Sequence, residues 1–222
     1  MKLNNKLRPL VIATSIAISG MAAPIVSQAE TSASVAVSNM YLWRGTNLSK
    51  DGGTVSGSLD YSMDGFYAGV WGSSETGGAE TDLYLGYAGE VSDFTYDIGY
   101  AAYLYPEETG NLSDSDLAEV ILSLGYGPVS FGAYIQTDSD YRDDNYFTLT
   151  YETGKFSGTY GWWDLDVGGT GSAVATDEYS HITLGFAATD ELSFSLSKAN
   201  SDDGTTDEDP LFAVTWSKSF DL

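Results

Sequence analysis

The chain has 222 residues, with 32 Asp and Glu against 9 Lys and Arg and a formal net charge of −23. Nucleic-acid affinity comes largely from Lys and Arg displacing counterions, so a surface of this sign excludes nucleic acid as a partner. The absence of cysteine removes disulfides, thiolate metal sites and cysteine nucleophiles, while 16 Tyr, 9 Phe and 5 Trp are far more aromatic residues than a disordered acidic chain carries.

Residues 1–29 read as an export signal. Lys2, Lys6 and Arg8 form a positive n-region, an apolar stretch from Pro9 to Ile18 follows, and the small residues Ser27 and Ala29 place a signal-peptidase site before Glu30. Thr14, Ser15 and Ser19 interrupt the apolar run, which falls short of the roughly 20 mostly apolar residues of a spanning helix. Residues 30–222 are expected to form one exported domain without a transmembrane helix.

From there on apolar residues recur with period 2. Ala33, Val35, Val37, Tyr41 and Trp43 alternate with Ser34, Ala36 and Ser38, and Val55, Leu59 and Tyr61 with Ser56, Ser58 and Asp60. Leu83, Leu85 and Tyr87 oppose Asp82, Tyr84 and Gly86; Phe94, Tyr96, Ile98 and Tyr100 oppose Thr95, Asp97 and Gly99; Val120, Leu122, Leu124 and Tyr126 oppose Glu119, Ser123 and Gly125. Such alternation marks strands with one apolar and one polar face. Further strands are predicted over Phe66–Ser73, Val129–Gln136, Tyr146–Tyr151, Phe156–Trp163, Tyr179–Phe186, Leu192–Leu196 and Leu211–Phe220, about twelve in all.

Their connections alternate in length. Met63–Gly65, Val91–Asp93, Gly127-Pro128, Gly154-Lys155 and Thr189–Glu191 are short, whereas Arg44–Gly53, Ser74–Glu80, Pro106–Asp116, Thr137–Asn145, Asp164–Asp177 and Asn200–Asp209 are long. In an antiparallel meander all long loops then gather at one end. The predicted fold is all-β: a transmembrane antiparallel up-and-down β-barrel of about twelve strands with short periplasmic turns and long acidic extracellular loops. Twelve strands enclose more space than apolar side chains readily fill, so the apolar faces are expected to meet lipid and the polar faces a hydrated lumen. Tyr41, Trp43, Tyr61, Tyr87, Tyr126 and Tyr151 then read as an interfacial aromatic girdle.

Ser38–Gly45 with Ser49, Gly57–Tyr61, Gly65–Ser73, Glu80–Tyr87 and Tyr103–Pro106, together with Glu119, resemble the TorF-type porins of proteobacteria. The resemblance covers roughly residues 38–119 and implies an outer-membrane β-barrel and a pore. The chain ends Phe220-Asp221-Leu222, whereas an aromatic last residue is the usual signal to the barrel-assembly machinery.

Several residues are candidates for chemistry. Arg44 reads either as a constriction-zone charge facing lumen acids or as the anchor of the first loop. Asp60, Asp82, Asp97, Glu119 and Glu152 fall on polar faces, where carboxylates lining a pore favour cations; the alternative is that they pair with lumen Tyr, Ser or Arg groups and plug a narrow barrel. His181 is the only histidine and points inward with Tyr179 and Thr183. A hydrolytic triad with Ser193 or Ser195 needs a base oriented by a carboxylate, which nothing local supplies. The loop acids Glu107, Glu108, Asp114, Asp116, Asp138, Asp140, Asp143, Asp144, Asp202, Asp203, Asp207, Glu208 and Asp209 read as a solvated face that divalent ions could bridge to lipopolysaccharide. The expectation is an outer-membrane, porin-like, non-enzymatic channel for passive diffusion of small hydrophilic solutes, with a preference for cations and no cofactor; the alternative is a non-conducting structural or surface-interaction barrel whose acidic loops bind divalent cations or partners.

Overall fold

The computed structural model describes residues 29–49, 52–75, 78–105, 117–137, 144–164, 179–201 and 208–222. The export signal and the loop acids other than Asp144, Glu208 and Asp209 lie outside the described residues. The elements are all strands: β1 Glu30–Ser38, β2 Leu42–Trp43, β3 Thr46–Asn47, β4 Thr54–Met63, β5 Phe66–Glu75, β6 Gly78–Val91, β7 Phe94–Leu104, β8 Leu117–Tyr126, β9 Val129–Gln136, β10 Asn145–Thr153, β11 Phe156–Asp164, β12 Tyr179–Ala187, β13 Leu192–Ser201 and β14 Leu211–Asp221. Twelve of them close into an antiparallel barrel in chain order, with β1 between β14 and β4, and β2 and β3 pair with each other as a separate ribbon.

The period-2 pattern becomes the two faces of this wall. Val55, Leu59, Leu83, Leu85, Ile98, Leu122, Leu124, Leu149, Ile182 and Leu184 point outward and are exposed, while Ser34, Ser58, Ser123, Thr150 and Thr159 alternate with them on the inside. A continuous outer belt of exposed Leu, Ile, Val and Phe is unfavourable in water at roughly 25 cal/mol per Å². In hydrocarbon the same belt is satisfied, and closure leaves no strand edge unpaired there. Near the short turns the belt ends in aromatic pairs: Phe66 with Tyr87 at 4.8 Å, Phe94 with Tyr126 at 4.7 Å and Phe156 with Phe186 at 5.0 Å between ring centroids. Tyr61, Tyr126 and Tyr151 are exposed on this face, so this part of the expected girdle is present.

Two expectations are corrected. The predicted long loop Ser74–Glu80 is instead a continuation of the sheet, since β5 and β6 pair as far as Glu75 and Gly78. Its Ser, Thr, Gly and Glu residues carry no apolar alternation, the signal on which the strand assignments rest. The second correction concerns Tyr41 and Trp43, which do not continue the first strand into a lipid-facing girdle but are buried inside the barrel, 2% and 7% exposed. Strand β1 stops at Ser38 because Asn39 takes over its pairing. The Asn39 side chain donates to Phe212 O at 3.0 Å and accepts from Val214 N at 2.7 Å, holding β14 while the main chain turns into the lumen.

The barrel interior therefore has two halves. Toward the short turns it is lined by half-buried Ser and Thr hydroxyls, such as the Ser34–Ser58 pair at 2.7 Å and the Thr150–Thr159 pair at 3.0 Å. Toward the other end lies the core, where Tyr41, Trp43, Trp71, Tyr103, Tyr134, Tyr146, Trp163 and Tyr179 pack together.

At the short-turn end, Glu191 fastens the last hairpin. Its carboxylate accepts from Lys218 Nζ at 3.1 Å and Trp216 Nε1 at 3.2 Å, and these hydrogen bonds, Lys218 first, hold its pKa below the ordinary value of 4.5. A depressed carboxyl pKa stabilises the fold above the ordinary value and loses that contribution as pH falls through the lowered one. The thermal midpoint of the folded barrel, followed between pH 6 and 3, is expected to fall less in Glu191→Gln than in the wild type; an identical fall would show that this pair adds nothing.

Candidate functional site

The ribbon β2–β3 carries the site. Its turn residues Arg44 and Gly45 both have left-handed backbone, with φ of 45° and 88°. Both positive dihedrals are what a two-residue turn of the hairpin type requires. The ribbon is closed by Leu48 N donating to Tyr41 O at 2.9 Å, Tyr41 N to Ser49 Oγ at 2.8 Å and Thr46 Oγ1 to Trp43 O at 2.9 Å. A Cβ placed on Gly45 would sit 2.5 Å from His181 Cβ, so the turn rests directly on the barrel wall. Tyr179 Oη fixes it there by donating to Arg44 O at 3.0 Å.

The turn delivers the Arg44 guanidinium into the core. It donates from Nη1 to Glu119 Oε1 at 2.9 Å and from Nη2 to Glu119 Oε2 at 2.6 Å, a bidentate pair. The same carboxylate accepts from Tyr103 Oη at 2.8 Å and Gln136 Nε2 at 2.8 Å. Around the cation stand four aromatic rings, with centroids 4.5 Å (Trp43), 4.7 Å (Tyr134), 4.5 Å (Tyr146) and 4.9 Å (Trp163) from Arg44 Cζ. Both charged side chains are sealed from solvent, 1% and 0% exposed. At this level of the barrel the passage is filled by protein.

The remaining candidates divide between the two halves. Asp82 is inward on β6 and fully buried, next to Tyr103 and therefore behind the Arg44–Glu119 pair. His181 lies under the turn. Its Nε2 pairs with Tyr146 Oη at 2.6 Å and its Nδ1 with Thr183 Oγ1 at 3.0 Å, and Thr183 continues to Ser197 at 2.8 Å. Its ring nitrogens thus meet a tyrosine and a threonine, and a triad with Ser193 or Ser195 is not assembled. Asp60 and Asp97 belong to the hydroxyl-lined half. Asp60 accepts from Ser58 Oγ at 2.6 Å and from Tyr84 Oη, and Asp97 from Tyr67 Oη at 2.9 Å. Glu152 is exposed next to a short turn and stands apart from the others. Among the described residues no group of three or more His, Asp or Glu side chains is placed to hold a metal.

Glu80, Gln136 and Trp163 are participants that the sequence does not mark as candidates. Glu80, buried beside Tyr41, falls in the predicted loop Ser74–Glu80, although it is two residues from Asp82 and so on the same face. Gln136, Tyr134 and Trp163 lie on predicted strands, and the inward register common to Tyr134 and Gln136 is the signal that joins them. No local feature says that Tyr134 and Trp163 surround an arginine far upstream or that Gln136 supports the carboxylate paired with it.

Removing one member of a buried, hydrogen-bonded ion pair strands the other and costs about 3–5 kcal/mol, whereas replacing both with apolar groups of similar volume is close to neutral. Glu119→Gln is therefore expected to lower barrel stability by about that amount, and Arg44→Met with Glu119→Leu to recover most of it, read as the thermal midpoint at which the compact electrophoretic form is lost. Gly45→Ala adds a left-handed penalty of about 1–2 kcal/mol to the collision with His181, and the same gel should show its midpoint lowered while Gly127→Ala, whose added Cβ meets nothing within 4 Å, falls less.

Comparison with solved structures finds chains of similar fold. A chain from a study of the in-meso crystallization of membrane proteins superposes with a TM-score of 0.58 at 9% identity, covering 86% of this chain and 84% of that one. A KdgM porin gives 0.49 at 11% identity, covering 86% and 99%, and a NanC porin 0.47 at 11% identity, covering 86% and 100%. At such identities the likeness is one of fold. No curated protein matches the sequence. The model of one family matches residues 22–154, a span that takes in the ribbon, Glu119 and Gln136. The chain belongs to that family, the bacterial proteins of unknown function designated Gcw_chp.

Proposed function

We propose that the protein is an outer-membrane, porin-like channel for passive diffusion of small hydrophilic solutes, with a preference for cations and a constriction at Arg44 and Glu119. The observation that carries this reading is that a ribbon entering from the chain between β1 and β4 completes the closure of the lumen at one level, whereas toward the short turns the barrel wall is lined by hydroxyls and carboxylates. A plug made by the wall could be relieved only by unfolding the barrel; a tethered ribbon can shift while every wall strand stays paired. The export signal and the TorF-type resemblance of residues 38–119 support the same location and activity, with the short turns facing the periplasm.

The preference for cations follows from the sign of the lining. Asp60, Asp82, Asp97 and Glu119 face the lumen, and Arg44 is the one arginine among the described residues. Carboxylates in a low-dielectric passage lower the energy of a passing cation and raise that of an anion. No step of this activity calls for a catalytic residue or a cofactor.

A second reading is a closed barrel whose acidic loops bind divalent cations or partners at the surface. Its support is the complete burial of Glu119, Asp82 and Tyr134 at the constriction.

Planar-bilayer recording of the refolded mature chain separates the two. The wild type is expected to give small, infrequent steps, and Arg44→Ala steps several times larger, with a cation-selective reversal potential in a salt gradient that Asp82→Asn weakens. Folded barrels of both forms that give no steps at all would sink the channel and leave the surface-interaction barrel.

A further inference from the structure

The environment of Arg44 is built as a receptor for a cation, and most of it belongs to the wall and not to the ribbon. Glu119 comes from β8, its supporting donors Tyr103 and Gln136 from β7 and β9, and three of the four rings, Tyr134, Tyr146 and Trp163, from β9, β10 and β11. Only Trp43 travels with Arg44. If the ribbon withdrew, it would leave behind a carboxylate with both oxygens directed at a guanidinium-shaped space and three aromatic faces around it. Aromatic faces and a desolvated carboxylate together select a flat or weakly hydrated organic cation over a strongly hydrated inorganic one.

Charge balance narrows the class of solute further. Glu119 is wholly buried, and a buried carboxylate without a cation is strongly unfavourable. Arg44 therefore cannot leave at low cost unless another cation takes its place. A neutral solute or an anion offers no such exchange; a guanidinium or small organic ammonium compound does. We propose that the Glu119–Tyr134–Tyr146–Trp163 cage is the recognition site for guanidinium-bearing solutes and that Arg44 is its tethered resident, displaced by the solute that passes. For transport the inference rests on the channel reading, whereas occupancy of the cage is measurable without it.

The test uses the full mature chain with Arg44→Ala and methylguanidinium as the probe. At millimolar concentration, far below the denaturing range of guanidinium, methylguanidinium is expected to restore at least half of the thermal midpoint lost in Arg44→Ala, while sodium and urea at the same concentration restore none. Arg44→Ala combined with Glu119→Ala should show no restoration. If Arg44→Ala does not refold alone, its refolding yield with and without methylguanidinium reads the same occupancy. No restoration in either measurement, or equal restoration in the double variant, overturns the cage. In bilayers, methylguanidinium should block the Arg44→Ala steps about tenfold more strongly than it blocks those of the double variant. Restored stability with no conductance in any form would keep the cage and end the channel; conductance without restoration or block would keep the channel and end the cage.

Discussion

The buried pair between Arg44 and Glu119 organises this barrel. Both side chains are out of water, so each depends on the other and on the groups that complete its hydrogen bonding. Glu119 sits on β8 and Arg44 between β2 and β3, 75 residues apart in the chain. Their meeting requires the barrel to be closed, the ribbon to be turned inward and the left-handed turn at Arg44-Gly45 to be formed. That turn is strained for a non-glycine residue, and the strain at Arg44 is tolerated because the guanidinium finds a bidentate partner and four ring faces. The glycine beside it has a separate reason, since the close approach to His181 leaves no room for a side chain there.

The rest of the lumen follows from how this centre is supported. Tyr103 and Gln136 hold the carboxylate, Tyr179 holds the turn, and Tyr146 links the cation to His181, from which hydroxyls run on through Thr183 to Ser197. Strands β7, β8, β9, β10, β12 and β13 thus each contribute a polar contact to this centre, which an alternating strand can do only if its inward positions are kept polar at that level. Below the centre the inward side chains shrink to Ser and Thr. There the larger residues lie against the wall instead of across it: Tyr67 covers Gly86 and reaches Asp97, and Tyr84 covers Gly69 and reaches Asp60.

The sequence was legible where one rule governs a whole element. Period-2 alternation specified the strands, their faces and, with the short turns, a closed antiparallel barrel, because each outward position in the belt obeys the same solvent. It misled at Tyr41 and Trp43, where the alternation continues past Ser38 although the chain has already turned inward. The apolar residues there face a protein interior, and an interior and a lipid phase select the same residue types. The asparagine that ends β1 is visible only once β14 is known to lie beside it. The alternation also failed between Ser74 and Glu80, where the strands stay paired through backbone hydrogen bonds although the residues are Ser, Glu, Gly and Ala. Arg44, Glu119, Asp82 and His181 could be named as inward or lumen-directed singly. That Arg44 and Glu119 form one centre depends on the depth to which the ribbon enters, a tertiary quantity with no local signature.

The acidity of the chain acquires a specific meaning at this centre. Glu119 is wholly buried with Arg44 as its cation, so the site is set for positive charge and supplies it from within. A lumen arranged this way resists emptying, because withdrawal of the resident cation leaves a buried carboxylate without its pair. It also resists anions, which cannot replace the cation that Glu119 requires. What remains permissive is exchange of one cation for another. The tether on Arg44 gives the resident a high effective concentration, so an incoming cation competes only if it makes better use of the same carboxylate and rings, and the ribbon returns once it has moved on. The geometry that closes the barrel at rest is, on this account, the same geometry that determines which solutes are able to open it.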